Sequence, residues 1–185
     1  MGTSDVHRTL VRLTKRLEEL QIPYAVCGGM ALNAHGHQRA TTDVDVVITA
    51  EGLATFKERS LGLGWLEKFP GSRGVRDTDN KVKVDFLVTG GIPGDGVARG
   101  VTFPDPATAA IDVAGTKYVS LARLIEMKIA CGLSQPQRPR DFDDVIRLVE
   151  VNALGEHFGV QLHPYVQGKY AELWRLAQLR DPLQD

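Results

Sequence analysis

Between Tyr24 and Ile48 the chain runs through an apolar strand (Tyr24-Ala25-Val26-Cys27), a glycine pair (Gly28-Gly29) and a short helical stretch (Met30–Ala34). It then enters a second strand that opens on two carboxylates, Asp43-Val44-Asp45-Val46-Val47-Ile48. In an extended chain, side chains at i and i+2 point to the same face, so Asp43 and Asp45 project together. Two carboxylates held close repel each other unless a cation sits between them. Hard divalent cations such as Mg2+ take oxygen ligands of this kind, usually with substrate phosphates completing the shell. Glycines before a helix N-terminus let backbone N–H groups approach a phosphate closely. One short segment therefore offers both a phosphate cradle and a metal site.

The remaining pattern places this segment in a mixed α/β front half followed by a helical rear third, joined near Val119. Val6, Leu10, Leu13, Leu17 and Leu20 recur at helical spacing over Ser4 to Leu20, with Ser4 as N-cap and Pro23 just past the end. Glu51 to Arg59 reads as a helix, and Leu61 to Lys68 begins as a turn and becomes extended. Gly74–Arg76 and Lys81–Val88 read as the arms of a hairpin around Asp77-Thr78-Asp79-Asn80. Gly90 to Gly100 is a glycine-rich loop, expected to be mobile. Helices are expected from about Ser120 to Cys131, from Asp141 to Val151 and from Tyr165 to Arg180, with Gln135-Pro136-Gln137-Arg138-Pro139 breaking the first from the second. The expected organisation is a core over residues 1–119 and a helical C-terminal segment over 120–185.

In the second hairpin arm Val82, Val84, Phe86 and Val88 share one face, and Lys81, Lys83 and Asp85 the other. An Asp in such a strand needs a partner. If this strand lies beside the one carrying Asp43 and Asp45, three carboxylates converge, and such a set can hold two metal ions. The bland alternative is an ion pair between Asp85 and Lys83 or Lys81 at a sheet edge. Arg39 is near enough to the Asp pair to reach a phosphate or to steer a carboxylate; otherwise it is an exposed loop arginine. Lys83 either neutralises a triphosphate or merely pairs with Asp85. Lys128 stands among Leu124, Ile125, Met127 and Ile129, where a lysine either serves a site or snorkels to the surface. His35 and His37 lack the spacing for one helix face and read as neutral or solvated. Asp77, Asp79 and Asp95 read as loop acids. Leu173, Trp174 and Leu176 either pack within the chain or face a partner.

Bulk properties exclude several classes. At 185 residues, 43% hydrophobic and 24% charged, the chain is of ordinary globular composition. No apolar run approaches the roughly 20 residues of a membrane span, and the polar start Met1–Arg8 lacks a signal core, so a cytoplasmic location is expected. Cys27 and Cys131 show no metal spacing and read as free thiols. The net charge of −1 gives no global field for nucleic acid, and DNA is not an expected partner. An anionic substrate must be held by a local cluster of positive groups.

The string Gly28-Gly29-Met30-Ala31-Leu32-Asn33-Ala34-His35-Gly36, followed by Arg39-Ala40-Thr41-Thr42-Asp43-Val44-Asp45, resembles the DNA polymerase β-like nucleotidyltransferase superfamily. Within it the resemblance is closest to the minimal, abortive-infection toxin-type proteins. The resemblance implies a short, mixed, twisted sheet flanked by helices, with a helical C-terminal segment closing a nucleotide cleft. It implies transfer of an NMP from an NTP to an acceptor hydroxyl, with release of pyrophosphate. Gly28 and Gly29 would hold the β- and γ-phosphates, Asp43 and Asp45 would bind two Mg2+ ions, and Asp85 would bind the catalytic ion and help deprotonate the acceptor. Mn2+ is the substitute to expect. Leu124–Ala130 followed by Arg138–Val145 looks like the helical continuation of the toxin-type branch, which implies Lys128, Arg140, Asp141 and Asp144 near the nucleotide. The acceptor is left open between a small molecule, tRNA and a protein, and a dimer or a cognate antitoxin is the further partner implied. Haloacid-dehalogenase-type phosphatases also carry Asp-x-Asp, but there the apolar strand precedes the pair, whereas here it follows. A non-catalytic, nucleotide- or partner-binding member of the same fold is the alternative.

Overall fold

The computed structural model describes residues 4–135, 137 and 139–179. Helix α1 (Asp5–Glu19) starts where Ser4 accepts a hydrogen bond from the His7 N–H and turns Leu10, Leu13 and Leu17 inward. Strand β1 (Tyr24–Cys27) is buried on both faces, and helix α2 (Gly28–Ala34) follows it without a break. The glycine pair is therefore the first turn of the helix, not a turn ahead of a helix beginning at Met30. Strand β2 is Asp43–Ile48, and helix α3 (Ala50–Ser60) is capped by Thr49. Strands β3 (Trp65–Glu67), β4 (Gly74–Asp77) and β5 (Lys83–Val88) come next. After the glycine-rich loop, the one-turn helix α4 (Pro106–Ala109) leads into a second hairpin, β6 (Ala110–Val113) and β7 (Thr116–Val119), which the pattern of the sequence does not predict. Helices α5 (Leu121–Ser134) and α6 (Arg140–Val151), a short 3-10 turn (Glu156–Gln161) and α7 (Pro164–Leu179) complete the chain.

The seven strands form one mixed sheet in the order β3-β4-β5-β2-β1-β7-β6. The central strand β2 runs antiparallel to β1 and parallel to β5. Because side chains alternate, the sheet has two different faces. One presents Val26, Val44, Val46, Ile48, Val84 and Phe86 to α1 and α3, whose Leu10, Leu13, Leu17 and Phe56 complete that core. The opposite face presents Ala25, Cys27 and Val47, which pack with Ala31 and Leu32 of α2 and with α5, α6 and α7. Leu173 belongs to this second core, while Leu176 remains 49% exposed. The helical cover does not extend over the β4–β5 end of that face, and the functional side chains lie where it stops. Among the described residues no helix is long and apolar enough to cross a membrane.

Candidate active site

The parallel pairing of β2 with β5 sets Asp45 beside Asp85 and Asp43 beside Lys83. One carboxylate oxygen from each of Asp43, Asp45 and Asp85 lies within 4.8 Å of the others, and all three residues are half-buried. Thr41 Oγ1 donates to Asp43 Oδ1 at 3.0 Å and fixes the first carboxylate. Lys83 Nζ bonds to Asp85.

Glycine is required around this cluster for steric reasons. Gly28 has φ +57°, and a side chain there would overlap the Asp45 carboxylate. Gly74 lies opposite Asp85 in the register, and a Cβ there would approach Asp85 Oδ1 to 2.8 Å. A Cβ on Gly29 would approach Thr41 Cβ to 2.7 Å, so α2 sits close against the loop that carries Thr41.

Burial, reinforced by the charges of Asp43 and Asp85, pushes the Asp45 carboxyl up to about 6; Lys128 and Lys83 pull the other way without cancelling it. The hydrogen bond to Asp85, with the neighbouring carboxylates, raises Lys83. Three acids and one lysine leave an excess of negative charge among converging oxygen donors. That donor set fits a hard divalent cation, held by Asp43, Asp45 and Asp85.

Behind Asp45 the second ring of sequence-predicted residues forms a buried ion network. Lys128 Nζ on α5 is 2.9 Å from Asp141 and 2.8 Å from Asp144, both on α6 and each only 3% exposed. Burial opposes the charge on Lys128, but the two aspartates outweigh it and its pKa is raised. Arg39 bonds to Oδ2 of Asp144, the oxygen that Lys128 also contacts, and His37 Nε2 stands 3.4 Å from Oδ1. Arg39 thus reaches neither a carboxylate of the triad nor open solvent alone; it pins the α2–β2 loop to α6. Asn33 closes the same loop through the backbone of Arg39, accepting at 2.6 Å and donating at 3.0 Å. His35 Nε2 is 2.8 Å from the Val119 carbonyl. Arg140 is exposed at the start of α6, next to Asp141 in the chain.

A cavity of about 300 Å3 opens beside Gly28 and Asp45. Lys128 and Asp141 line its polar end; Leu87, Phe103, Leu124 and Met127 form its apolar wall. Cys27 borders it, with its thiol pushed well up by burial and then by Asp45.

Several residues of this arrangement escape a reading of the sequence. Gly74 and Thr41 have no local signature; only the strand register shows what they touch. Asp77 is a buried structural node, not a loop acid. It accepts from Thr9 Oγ1 at 2.7 Å and Asn80 Nδ2 at 2.8 Å and pairs with Arg12. Burial works against its charge, but these donors hold its carboxyl below the usual range.

The sequence matches no protein-family model and no curated protein. Solved structures do share the fold. ANT(2")-Ia, in a crystal structure with adenylyl-2"-tobramycin, is 15% identical over 89% of this chain and 96% of its own, with a TM-score of 0.58. An antigenic nucleotidyltransferase-like protein from Paracoccidioides brasiliensis is 19% identical over 93% of this chain and 88% of its own, with a TM-score of 0.56. JHP933 from Helicobacter pylori is 17% identical over 94% and 89%, with a TM-score of 0.51. The mixed sheet with flanking helices is thus the nucleotidyltransferase fold.

Proposed function

We propose that this chain is a Mg2+-dependent nucleotidyltransferase that moves an NMP from an NTP to an acceptor hydroxyl and releases pyrophosphate. The observation that carries the reading is the convergence of Asp43, Asp45 and Asp85 within 4.8 Å, next to a helix that begins on two glycines. The fold shared with ANT(2")-Ia, solved with the nucleotidylated hydroxyl of adenylyl-2"-tobramycin, supports a hydroxyl as acceptor.

The α2 N-terminus at Gly28-Gly29 presents backbone N–H groups to the triphosphate. The nucleoside enters the cavity beside Asp45, against Leu124 and Met127, with Lys128 and Asp141 at its polar end. The acceptor oxygen attacks the α-phosphorus, the bond from that phosphorus to the bridging oxygen breaks, and pyrophosphate leaves with the electron pair. Asp85, on the open side, takes the acceptor's proton. Lys83, now on Asp85, is within reach of a phosphate oxygen once that proton is bound. Cations held by the three aspartates would acidify the acceptor hydroxyl and offset the charge of the leaving group. Positioning and charge stabilisation supply the rest.

Lys128, Asp141 and Asp144 on α5 and α6, with Arg140 exposed beside them, support placing the chain with the abortive-infection toxin-type branch, with residues 1–119 as catalytic core and the segment from 120 closing the cleft. The acceptor classes are a small molecule, tRNA or a protein, and the cytoplasm is the location this reading goes with. Incubation with each radiolabelled NTP and Mg2+, with and without cell extract, tests the reading. Label is expected on an RNA, protein or small-molecule fraction. No transfer from any NTP would overturn it in favour of a non-catalytic binding protein.

A further inference from the structure

The triad-bearing face of the sheet carries a second charged feature, on β4 and β5. In the antiparallel register Arg76 stands directly opposite Lys83, and Lys83 stands beside Asp43. Like charges paired across strands are unfavourable unless something compensates them. Asp85 compensates Lys83, but nothing among the described residues compensates Arg76. Its Nε donates to the Lys81 carbonyl at 3.2 Å, which orients the guanidinium and leaves its outer fork open to solvent. Lys81, whose carbonyl takes that bond, is itself exposed and held at φ +60° in the turn. The nearby acids are committed elsewhere: Asp77 is buried on Thr9 and Arg12, and Asp79 bridges to Arg12 at 2.6 Å.

We propose that Arg76 and Lys81, with Lys83, form a phosphate subsite for the acceptor, so that the acceptor is a phosphate-bearing hydroxyl compound. The proposal rests on the transfer reading above. An arginine fork with two lysines suits a phosphate dianion. Arg76 lies two residues along its strand from the position opposite Asp85, about 7 Å away. A phosphate there leaves a hydroxyl of the same molecule at Asp85. The triphosphate of the NTP is not the occupant, because the glycine helix meets Asp45 from the β1 side, three strands from Arg76. The same cations repel a polyamine such as tobramycin, which sets this acceptor side apart from that of ANT(2")-Ia.

The test is equilibrium binding to the full chain in Mg2+ of a fluorescein-labelled RNA decamer with a free 3′-hydroxyl, of ribose 5-phosphate as competitor, of tobramycin and of ATP. The wild type is compared with the double charge reversal Arg76→Glu/Lys81→Glu; both side chains are exposed, and a melting curve verifies the fold. The double variant is expected to lose at least tenfold in affinity for the phosphate probes while ATP binding stays within twofold. Competition by ribose 5-phosphate assigns the subsite to small phosphorylated acceptors; decamer binding without competition assigns it to a nucleic-acid end. Equal affinity of variant and wild type for the phosphate probes, or binding of tobramycin alone, overturns the subsite. If ATP itself fails to bind the wild type, the transfer reading falls with it; if ATP binds and the phosphate probes do not, only the subsite falls.

Discussion

Asp45 and Asp85 are neighbours in one register row, yet they face different surroundings. Asp45 lies under α5 and α6, against an apolar cavity, with Gly28 in contact and a buried lysine behind it. Its carboxyl is pushed up to about 6. Asp85 lies at the open end of the sheet, its side chain 29% exposed and bonded to Lys83, in front of a cationic ribbon. Helical cover decides the difference. Where α5–α7 cover the face, the site has an apolar wall and a buried ion pair behind it; where they end, it is exposed and charged. The proposed transfer would use this asymmetry, with the donor on the covered side and the acceptor on the exposed one.

The largest expected effect removes the acids themselves. Asp45→Ala and Asp85→Ala should each lower transfer by about 10²–10³-fold or more with the fold intact by circular dichroism; retained turnover in either would break the pairing of the two sides. The two glycines should separate the sides next. Gly28→Ala adds a side chain at φ +57° inside the Asp45 carboxylate, at a cost of about 1–3 kcal/mol in stability and most of the activity. Gly74→Ala meets Asp85 at 2.8 Å on ordinary backbone and should cost less on both counts, as denaturant titration and rate measurements would show.

Asp144→Ala tests the closed side. Removing a carboxylate that binds Lys128 and Arg39 should destabilise by about 2 kcal/mol, below the full cost of breaking a buried pair because Asp141 remains on Lys128. A loss of NTP affinity without a loss of stability would make Asp144 a nucleotide ligand instead of an anchor.

The effect least visible under working conditions, because Mg2+ suppresses it, is the pH dependence of the metal-free protein. The folded Asp45 carboxyl keeps its proton up to about pH 6, against an ordinary value of 3.8. Between those values the folded chain binds more protons than the unfolded one. This contribution therefore favours folding at low pH and is lost as pH rises through about 6. Asp45→Asn should abolish it, gaining at most about 3 kcal/mol over the wild type at pH 7 in chelator, and less once Mg2+ is added. Asp85→Asn, which strips Lys83 of its partner, should give no such gain.

How far this was legible in the sequence follows from how local each signal is. Strands β2 and β5 announce themselves, because in each the first four residues alternate charged with apolar, Asp43-Val44-Asp45-Val46 and Lys83-Val84-Asp85-Phe86, before an apolar end. The same alternation puts Asp43, Asp45 and Asp85 on compatible faces, though only the parallel register makes them meet. The β6–β7 hairpin escapes because its strands have four residues each and are largely exposed, and β7 joins the sheet through β1, some 90 residues earlier in the chain. Asp77 misleads for the same reason: its burial comes from Thr9 and Arg12 on α1. Arg39 and Lys128 were visible as charges near a site, but their shared anchor, Asp144, is a contact 105 residues away from Arg39.

The central claim is that Asp43, Asp45 and Asp85 together hold the cations of a nucleotidyl transfer. A crystal structure with Mn2+ and a non-hydrolysable NTP tests it most directly. Anomalous density between the three carboxylates, with the triphosphate at Gly28-Gly29 and the nucleoside in the cavity beside Asp45, is the predicted result. Mn2+ bound elsewhere, or a nucleotide bound away from these residues, would contradict it.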